Sequence, residues 1–251
     1  MAQGIRLFRR CRLALAIVAA LGVPASSAFA GHPMLSEDTG TQGKGNFELE
    51  LGHAWIQSEG SRSFLFQPQL SYGASAAFDL IVQPSWTTVE GAGGERGLSD
   101  TNLDIKWRFY GAAPLSLGVR AGFELATAQH DLGLRRGVSP HAILVATADY
   151  APFTFDANLG YAHIPDDALP DRYHFSAAAT YAANERVFLV LDAAVDSTPD
   201  AARNSYQVVA LCGVIYTARP GLDIDVGYRG RLSDAGPVRQ WLLGITFRGA
   251  K

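Results

Sequence analysis

His174 and Ser176 are the residues whose types and spacing come closest to a catalytic pair. One residue separates them, so a β-strand would place both side chains on the same face. A histidine base beside a serine nucleophile is an arrangement used for acyl transfer. Asp156 and Asp192 lie in the neighbouring segments and could orient the histidine. The sequence has no Gly-x-Ser-x-Gly motif, so a lipid-modifying hydrolase is only an alternative, and we predict that the protein is not an enzyme.

A second set of polar residues recurs inside segments that are otherwise apolar. The candidate pore-lining residues are Glu48, Glu50, Gln67, Gln69, Asp104, Lys106, Arg108, Arg120, Glu124, Asp223, Asp225 and Arg229. If they face a common interior, opposed acids and bases would set a field across a pore and orient dipolar solutes. The same charges could instead pair with one another and brace a closed interior. The sequence does not decide between a charged pore and a closed interior braced by ion pairs.

Composition argues against several other kinds of chemistry. The six histidines show neither His-x-His nor His-Glu-x-x-His spacing, so no metal and no cofactor is predicted. The formal net charge is −3 at pH 7, so no nucleic-acid partner is expected. Beyond the first 30 residues the chain has a single cysteine, Cys212, which rules out an internal disulfide.

These residues lie in segments where apolar and polar side chains alternate. Residues 102–109, NLDIKWRF, are an example. Segments near 140–150, 186–196 and 205–217 are apolar on both faces, so alternation does not give their direction; with them we count twelve segments of about ten residues. Short connections at 73–77, 110–114, 151–152, 183–185 and 218–221 alternate with longer polar ones at 58–63, 91–99, 128–138, 164–171, 198–203 and 233–237. Short turns on one rim and longer loops on the other are typical of outer-membrane barrels.

A soluble β-sandwich or lipocalin-like barrel would show the same alternation with its apolar face turned inward. The polar face here carries Gln, Ser, Thr and Asn with only isolated charges, whereas soluble surfaces carry more Lys and Glu. Aromatic residues also cluster near the ends of the segments, as they do at membrane–water boundaries. We therefore expect the aromatic face to point outward, into lipid.

Residues 1–30 have the order of a bacterial secretory signal peptide. Four arginines precede an apolar run from Leu13 to Val23, and Ala28-Phe29-Ala30 supplies the small residues that a signal peptidase recognises. The run is too short to cross a bilayer comfortably as a helix. We expect cleavage after Ala30 and export through the secretion translocon.

Two stretches resemble a known family. Residues 31–50, GHPMLSEDTGTQGKGNFELE, resemble the opening of the outer-membrane family named for the meta-pathway of phenol degradation, whose members are commonly called transporters. Residues 97–107, GLSDTNLDIKW, resemble a loop-to-strand entry of the same family. The resemblance implies a membrane β-barrel and the passage of small compounds, aromatic ones among them. The C-terminus departs from the usual pattern of a final aromatic residue, because four residues follow Phe247.

Together these observations predict an all-β fold: a single closed antiparallel transmembrane β-barrel of twelve strands, with a range of ten to fourteen. Residues 1–30 would be the cleaved signal peptide, residues 31–45 a periplasmic N-terminal segment and residues 46–251 the barrel. We expect it in the outer membrane of a Gram-negative bacterium, in contact with lipid and with the barrel-insertion machinery. Its predicted function is passive transport of small solutes, with aromatic or hydrophobic compounds as candidates. A closed-lumen structural or binding barrel is the alternative.

Overall fold

The structure is a computed structural model that describes residues 32–91, 94–129, 132, 137–165, 169–197, 206–234 and 237–249. The predicted signal peptide lies outside the described residues. The described residues form β1 (Phe47–Ser58), β2 (Ser61–Gly73), β3 (Phe78–Gln83), β4 (Trp86–Glu90), β5 (Arg96–Leu98), β6 (Thr101–Ala112), β7 (Leu115–Leu125), β8 (Ser139–Tyr150), β9 (Phe153–Ala162), β10 (Arg172–Ala182), β11 (Val187–Ser197), β12 (Tyr206–Arg219), β13 (Leu222–Arg231) and β14 (Arg239–Gly249). None of these residues belongs to a helix long and apolar enough to cross a membrane.

The strands form one antiparallel sheet that closes on itself, because β1 pairs with β2 on one side and with β14 on the other. From β6 to β14 each strand pairs with the next one along the chain. β2 pairs with both β3 and β4, while β3 pairs with β6 and β4 with β5. β3 and β4 are therefore two parts of one barrel strand, and β5 and β6 are two parts of the next. The described strands make a closed barrel of twelve, which confirms the predicted fold class and strand number.

The break between β3 and β4 has a local cause in two prolines. Pairing between β2 and its neighbour stops after Leu70 and Val82 and resumes at Phe66 and Trp86. The register places Pro68 opposite Pro84 in this gap, and neither residue has an N–H to donate. The ladder is interrupted there, and the barrel strand bends into two parts.

The two rims of the barrel differ in the length of their connections. One rim, which we call the short-turn rim, carries residues 74–77, 113–114, 151–152, 183–186 and 220–221, together with the start of β1 and the end of β14. At the other, the long-loop rim, lie the strand ends that residues 59–60, 91–95, 126–138, 163–171, 198–205 and 232–238 connect along the sequence. The predicted asymmetry is present, with one correction. Residues 58–63 were expected to form a longer polar loop, but only Glu59 and Gly60 separate β1 from β2, and the turn uses a positive φ of 80° at Gly60.

The apolar face of the sheet points outward and the polar face inward. Trp55, Trp107 and Phe175 are 48%, 49% and 54% exposed on the outside, whereas Glu48 and Glu50 are each 4% exposed on the inside. In water this outer surface would be costly, but a closed barrel can present it to hydrocarbon because all wall strands are paired. The predicted direction of the rings is therefore correct, and the soluble sandwich or barrel is the wrong alternative.

Residues 32–46 lie inside the barrel. Their backbone and side chains hydrogen-bond to inward-facing residues on β1, β3, β8, β9, β11 and β13. The sequence prediction placed residues 31–45 outside the barrel, in the periplasm. The inward position follows from polar groups on the inner wall that find their hydrogen-bond partners in this part of the chain.

Candidate functional site

Residues 32–46, which we call the N-terminal segment, follow the inner wall of the barrel. The segment enters at the short-turn rim, where the N–H of Gly45 donates to a β2 carbonyl at 2.7 Å. Farther in, the N–H of Thr39 donates to a β8 threonine (2.9 Å) and that of Ser36 to a β11 aspartate (2.8 Å). The N–H of His32 ends the path at a β1 glutamate (3.1 Å). The segment therefore crosses much of the inner face and narrows the lumen.

The N-terminal segment is held by four charged residues, Glu37, Asp38, Lys106 and Arg120, which we call the clasp. Nζ of Lys106 lies 3.2 Å from Oε2 of Glu37 and 3.0 Å from Oδ1 of Asp38. Arg120 donates to Glu37 and also pairs at 2.7 Å with Asp104 of β6. Lys106, Arg120 and Asp38 are buried. Because losing one partner of a buried ion pair leaves an uncompensated charge, the clasp fixes the segment against β6 and β7.

The charge state of Glu37 follows from its two cationic neighbours. Burial alone would raise the pKa of Glu37, but the positive charges of Arg120 and Lys106 outweigh it and lower the pKa from 4.5 to about 2. Glu37 therefore stays ionised in neutral and mildly acidic solution, and the clasp stays closed there.

Hydrogen bonds extend this attachment along the segment. Oδ2 of Asp192 accepts from the N–H groups of Leu35 (2.6 Å) and Ser36 (2.8 Å). Asn158 makes a pair of bonds with Glu37, accepting from its N–H at 2.7 Å and donating to its carbonyl at 2.9 Å. These barrel residues satisfy backbone groups of a segment that has no strand partner of its own.

Two glycines on the inner wall make room for the start of the segment. A Cβ at Gly52 would lie 2.7 Å from the ring of His32, and one at Gly227 would lie 2.8 Å from Pro33. Contacts that short do not occur without displacement. Inward-facing glycines of this kind are the sequence signal that another part of the chain packs against the wall.

At the short-turn rim the segment ends in a second polar cluster. The N–H of Gln42 donates to Asp79 (3.0 Å), and its side-chain amide donates to Oε1 of Glu48 (2.8 Å). Arg248 bridges Glu48 and Asp223, with nitrogen–oxygen distances of 2.7 Å and 2.5 Å. Arg248 joins the first and last barrel strands to β13 across the seam where the barrel closes.

Space remains on both sides of the segment. A cavity of about 190 Å³ near the short-turn rim is lined by Gln42, Glu48, Ser71, Asp79, Lys106 and Arg248. A cavity of about 160 Å³ nearer the long-loop rim is lined by Met34, Leu65, Gln67, Arg229, Gln240 and Leu242. We call them the short-turn cavity and the long-loop cavity. Their linings share Glu37 and Gln69, so these two residues lie where the cavities approach each other.

The structure distributes the candidate pore-lining residues over the inner wall. Eight are buried there: Glu48, Glu50, Gln69, Asp104, Lys106, Arg120, Asp223 and Asp225. Gln67 and Arg229 line the long-loop cavity. Arg108 donates to a carbonyl of the 74–77 turn at 3.1 Å, and Glu124 lies 3.9 Å from Arg172, so these two sit near opposite rims. That all twelve residues line an open pore stays a prediction.

Sequence reasoning missed the partners that the segment brings. The sequence left open whether Lys106 and Arg120 would oppose acids across a pore or pair with other charges of the wall. Arg120 does pair with Asp104 of the wall, but both bases also bind acids of the segment, Glu37 and Asp38. The signal that could have revealed them is the adjacent acid pair Glu37-Asp38, which matches two inward-facing bases in charge.

His174 and Ser176 do form the predicted pair, with a different carboxylate. Nε2 of His174 lies 3.0 Å from Oγ of Ser176, and its Nδ1 lies 2.8 Å from Oδ1 of Asp196. Asp196 is opposite His174 in the β10–β11 register, so it takes the orienting position expected for Asp156 or Asp192. That part of the prediction is wrong, since both of those acids bind other groups.

The environment of Ser176 restricts what this triad can do. The residue has 0% exposed surface, and its Oγ also contacts Ser36 of the segment (3.0 Å) and Oδ1 of Asn158 (3.1 Å). A substrate carbonyl can reach Oγ only after the segment moves. Among the described residues, no group of three or more His, Cys, Asp or Glu side chains is arranged to hold a metal ion.

The closed wall, the outward rings and the polar lumen define a transmembrane β-barrel of the kind found in outer-membrane porins. Its fold is similar to that of an outer membrane channel from Pseudomonas putida F1, with a TM-score of 0.67 and 10% identity over 90% of this chain and 99% of that one. The NanC porin (TM-score 0.60, 10% identity, 79% of this chain and 98% of that one) and the KdgM porin (0.59, 8%, 80% and 98%) share it too.

The chain belongs to the family described as "Putative MetA-pathway of phenol degradation", whose sequence model matches residues 30–249. This match confirms the resemblance seen in residues 31–50 and 97–107. No curated protein matches the chain.

Proposed function

We propose that the protein is a channel in the outer membrane of a Gram-negative bacterium, through which small solutes pass passively. The observation that carries this proposal is the pair of cavities on either side of the N-terminal segment, which approach each other at Glu37 and Gln69. A solute would enter one cavity, pass the segment beside the clasp and leave through the other. The porin-type fold and the apolar outer surface support the membrane location.

The dimensions of this path limit its solutes. Each cavity is smaller than 200 Å³, so ions and molecules the size of one ring fit, whereas large sugars do not.

Conductance tests the proposal. The processed protein, beginning at residue 31, and a variant lacking residues 32–41 are refolded and inserted into planar bilayers. We expect small discrete current steps for the complete chain and several-fold larger steps for the deletion variant, because the deletion removes the part of the segment that fills the lumen. Heat-modifiable migration in gels checks that both barrels are folded.

The same measurement decides between the proposal and a closed-lumen structural or binding barrel. The clasp and the hydrogen bonds of the segment favour that alternative. Silence of the complete chain over repeated insertions, with current through the deletion variant, would establish a barrel closed by its own N-terminus. Silence of both would reject a channel altogether.

A lipid-modifying hydrolase is the second candidate, and the observation that favours it is the Asp196–His174–Ser176 triad. Its test is the lipid composition of cells that express Ser176→Ala in place of the wild-type chain. A changed phospholipid or lipid A profile would support hydrolysis. An unchanged profile would leave the triad as an internal hydrogen-bond chain that anchors Ser36.

A further inference from the structure

Arg229 differs from the other cations that line the two cavities because no carboxylate pairs with it in the described part of the chain. Lys106, Arg120 and Arg248 all form ion pairs there. NH1 of Arg229 donates to Oε1 of Gln240 at 3.3 Å, and its Nε is buried without a hydrogen-bond partner. Leaving a buried charged donor unsatisfied costs free energy, which a bound anion would recover.

The guanidinium of Arg229 borders the long-loop cavity, whose lining is partly polar and partly apolar. Ala54, Leu65 and Leu242 line its sides, and Met34 of the N-terminal segment lines it as well. Leu211, which is 2% exposed, lies beside Arg229 in the β12–β13 register. A solute in this cavity would meet hydrocarbon from these side chains and, at Arg229, a positive charge that no carboxylate pairs with.

The two carboxylates that border the cavity are already satisfied. Glu37 belongs to the clasp. Glu50 accepts from the N–H of His32 at 3.1 Å and from the side-chain amide of Gln69 at 2.6 Å. Arg229 is therefore the charged group of the cavity with unused hydrogen-bonding capacity.

The size of the cavity limits the apolar part of its occupant. Its volume is about 160 Å³, and an apolar cavity of about 150 Å³ in another protein holds one benzene molecule. One ring fits; two fused rings do not. A planar carboxylate can bind a guanidinium through two parallel N–H···O bonds, which fixes the orientation of the ring behind it.

We propose that the long-loop cavity is a binding site for a small organic anion with a single apolar ring, such as an aromatic monocarboxylate. The carboxylate binds Arg229, and the ring packs against Leu65 and Leu242. This inference rests on the proposed function and names the class of solute that the channel selects.

Calorimetric titration of the refolded full-length processed protein tests the site with three probes: benzoate, the neutral benzamide and the ringless acetate. We expect benzoate to bind more tightly than either of the others. Arg229→Gln should weaken benzoate binding about 10- to 100-fold, as expected for loss of hydrogen bonds to a charged group, and leave benzamide unchanged. Arg229→Lys, which keeps the charge but loses the planar fork, should fall between.

Two further variants separate the site from general effects of charge and folding. Arg239→Gln removes an arginine that is exposed on the outer face near the same rim, and it should bind benzoate like the wild type. Leu65→Gln makes the wall polar and should weaken benzoate binding while leaving acetate unchanged. Equal benzoate binding by Arg229→Gln and the wild type, or no binding by the wild type, would overturn the inference.

Because titration needs no current, this result is independent of the conductance test. If the barrel conducts but does not bind benzoate, the proposed channel stands and the proposed site is rejected. If the barrel is silent but binds benzoate through Arg229, the proposed site stands and the proposed channel is rejected.

Discussion

Lys106 is the residue on which the position of the N-terminal segment depends most directly. Its ammonium lies within 3.2 Å of two carboxylates that belong to the segment, and it is 5% exposed. We expect Lys106→Met to lower the free energy of unfolding by about 3–5 kcal/mol, because it leaves buried acids without a partner. Denaturant unfolding from lipid vesicles, followed by tryptophan fluorescence, measures this change.

A rescue variant separates lost charge compensation from lost packing. Lys106→Met combined with Glu37→Gln and Asp38→Asn removes the stranded charges together with their partner, so most of the lost free energy should return. The control is Arg186→Met in the exposed turn at 183–186, which should change stability little. Failure of the triple variant to recover would show that the clasp does not act through charge.

Glu37 lies where the two cavities approach each other, so its charge should influence which ions pass. Glu37→Gln removes a negative charge there and leaves Lys106 paired with Asp38 and Arg120 paired with Asp104. We expect the reversal potential in a salt gradient to shift toward anions, with at least a twofold fall in the cation-to-anion permeability ratio, roughly the scale of a single fixed charge in a narrow pore.

The matched control for that measurement is Glu59→Gln. The side chain of Glu59 is 77% exposed in the turn between β1 and β2, where salt screens it. The same substitution there should leave the reversal potential unchanged. If both variants shift it equally, the charge of the whole barrel rather than the junction at Glu37 sets the selectivity.

At the scale of elements, the N-terminal segment either stays in place or moves while solutes pass, and a crosslink can distinguish the two. The oxygens of Ser36 and Ser176 are 3.0 Å apart, which brings the two positions close enough to test a crosslink between segment and wall. In a Cys212→Ser background, which removes an exposed thiol, Ser36→Cys with Ser176→Cys should form a disulfide on oxidation. We expect the unit current to be the same, within about a third, before and after oxidation, because the proposed path runs beside the segment.

Each single-cysteine variant serves as a control for that experiment, since neither can close the bond. Loss of current on oxidation, restored by a reductant, would show that the segment must leave its place for conduction. That outcome would replace a fixed path with a moving plug.

The strands of the barrel could be predicted from the sequence, and the N-terminal segment could not. Alternation within 102–109 is a local signal, and most barrel strands carry their own copy of it. The segment has no such period, and its contacts are distant in sequence: His32 meets Asp225, 193 residues away. The position of the segment depends on polar groups that come together only when the barrel closes. No short stretch of the sequence predicts that position.

The candidate site divides in the same way. The inward direction of Asp104, Lys106 and Arg120 follows from alternation alone. Their partners do not, because Glu37 and Asp38 come from a stretch without strand pattern. The orienting acid of His174 was missed because alternation gives the face of a strand and not its register, which places Asp196 opposite the histidine.

At the scale of the whole molecule, the aromatic rings on the outer face require an apolar environment around the barrel. The chain has four tryptophans, and Trp55, Trp86, Trp107 and Trp241 are all between 44% and 55% exposed on the outer face. No tryptophan is left inside to report on the lumen. The emission of this protein therefore monitors its contact with lipid alone.

We expect brominated acyl chains to quench that emission strongly when the protein is folded in vesicles, because bromine quenches only at contact. Trp55, Trp86 and Trp241 lie toward the long-loop rim, whereas Trp107 lies toward the short-turn rim, opposite Phe78 at the start of β3. Single-tryptophan variants should therefore all be quenched more by bromine near the headgroups than by bromine near the chain ends, by about twofold in each comparison. Weak quenching at every depth, or a processed protein that stays dispersed in water without detergent, would mean that the rings face something other than hydrocarbon.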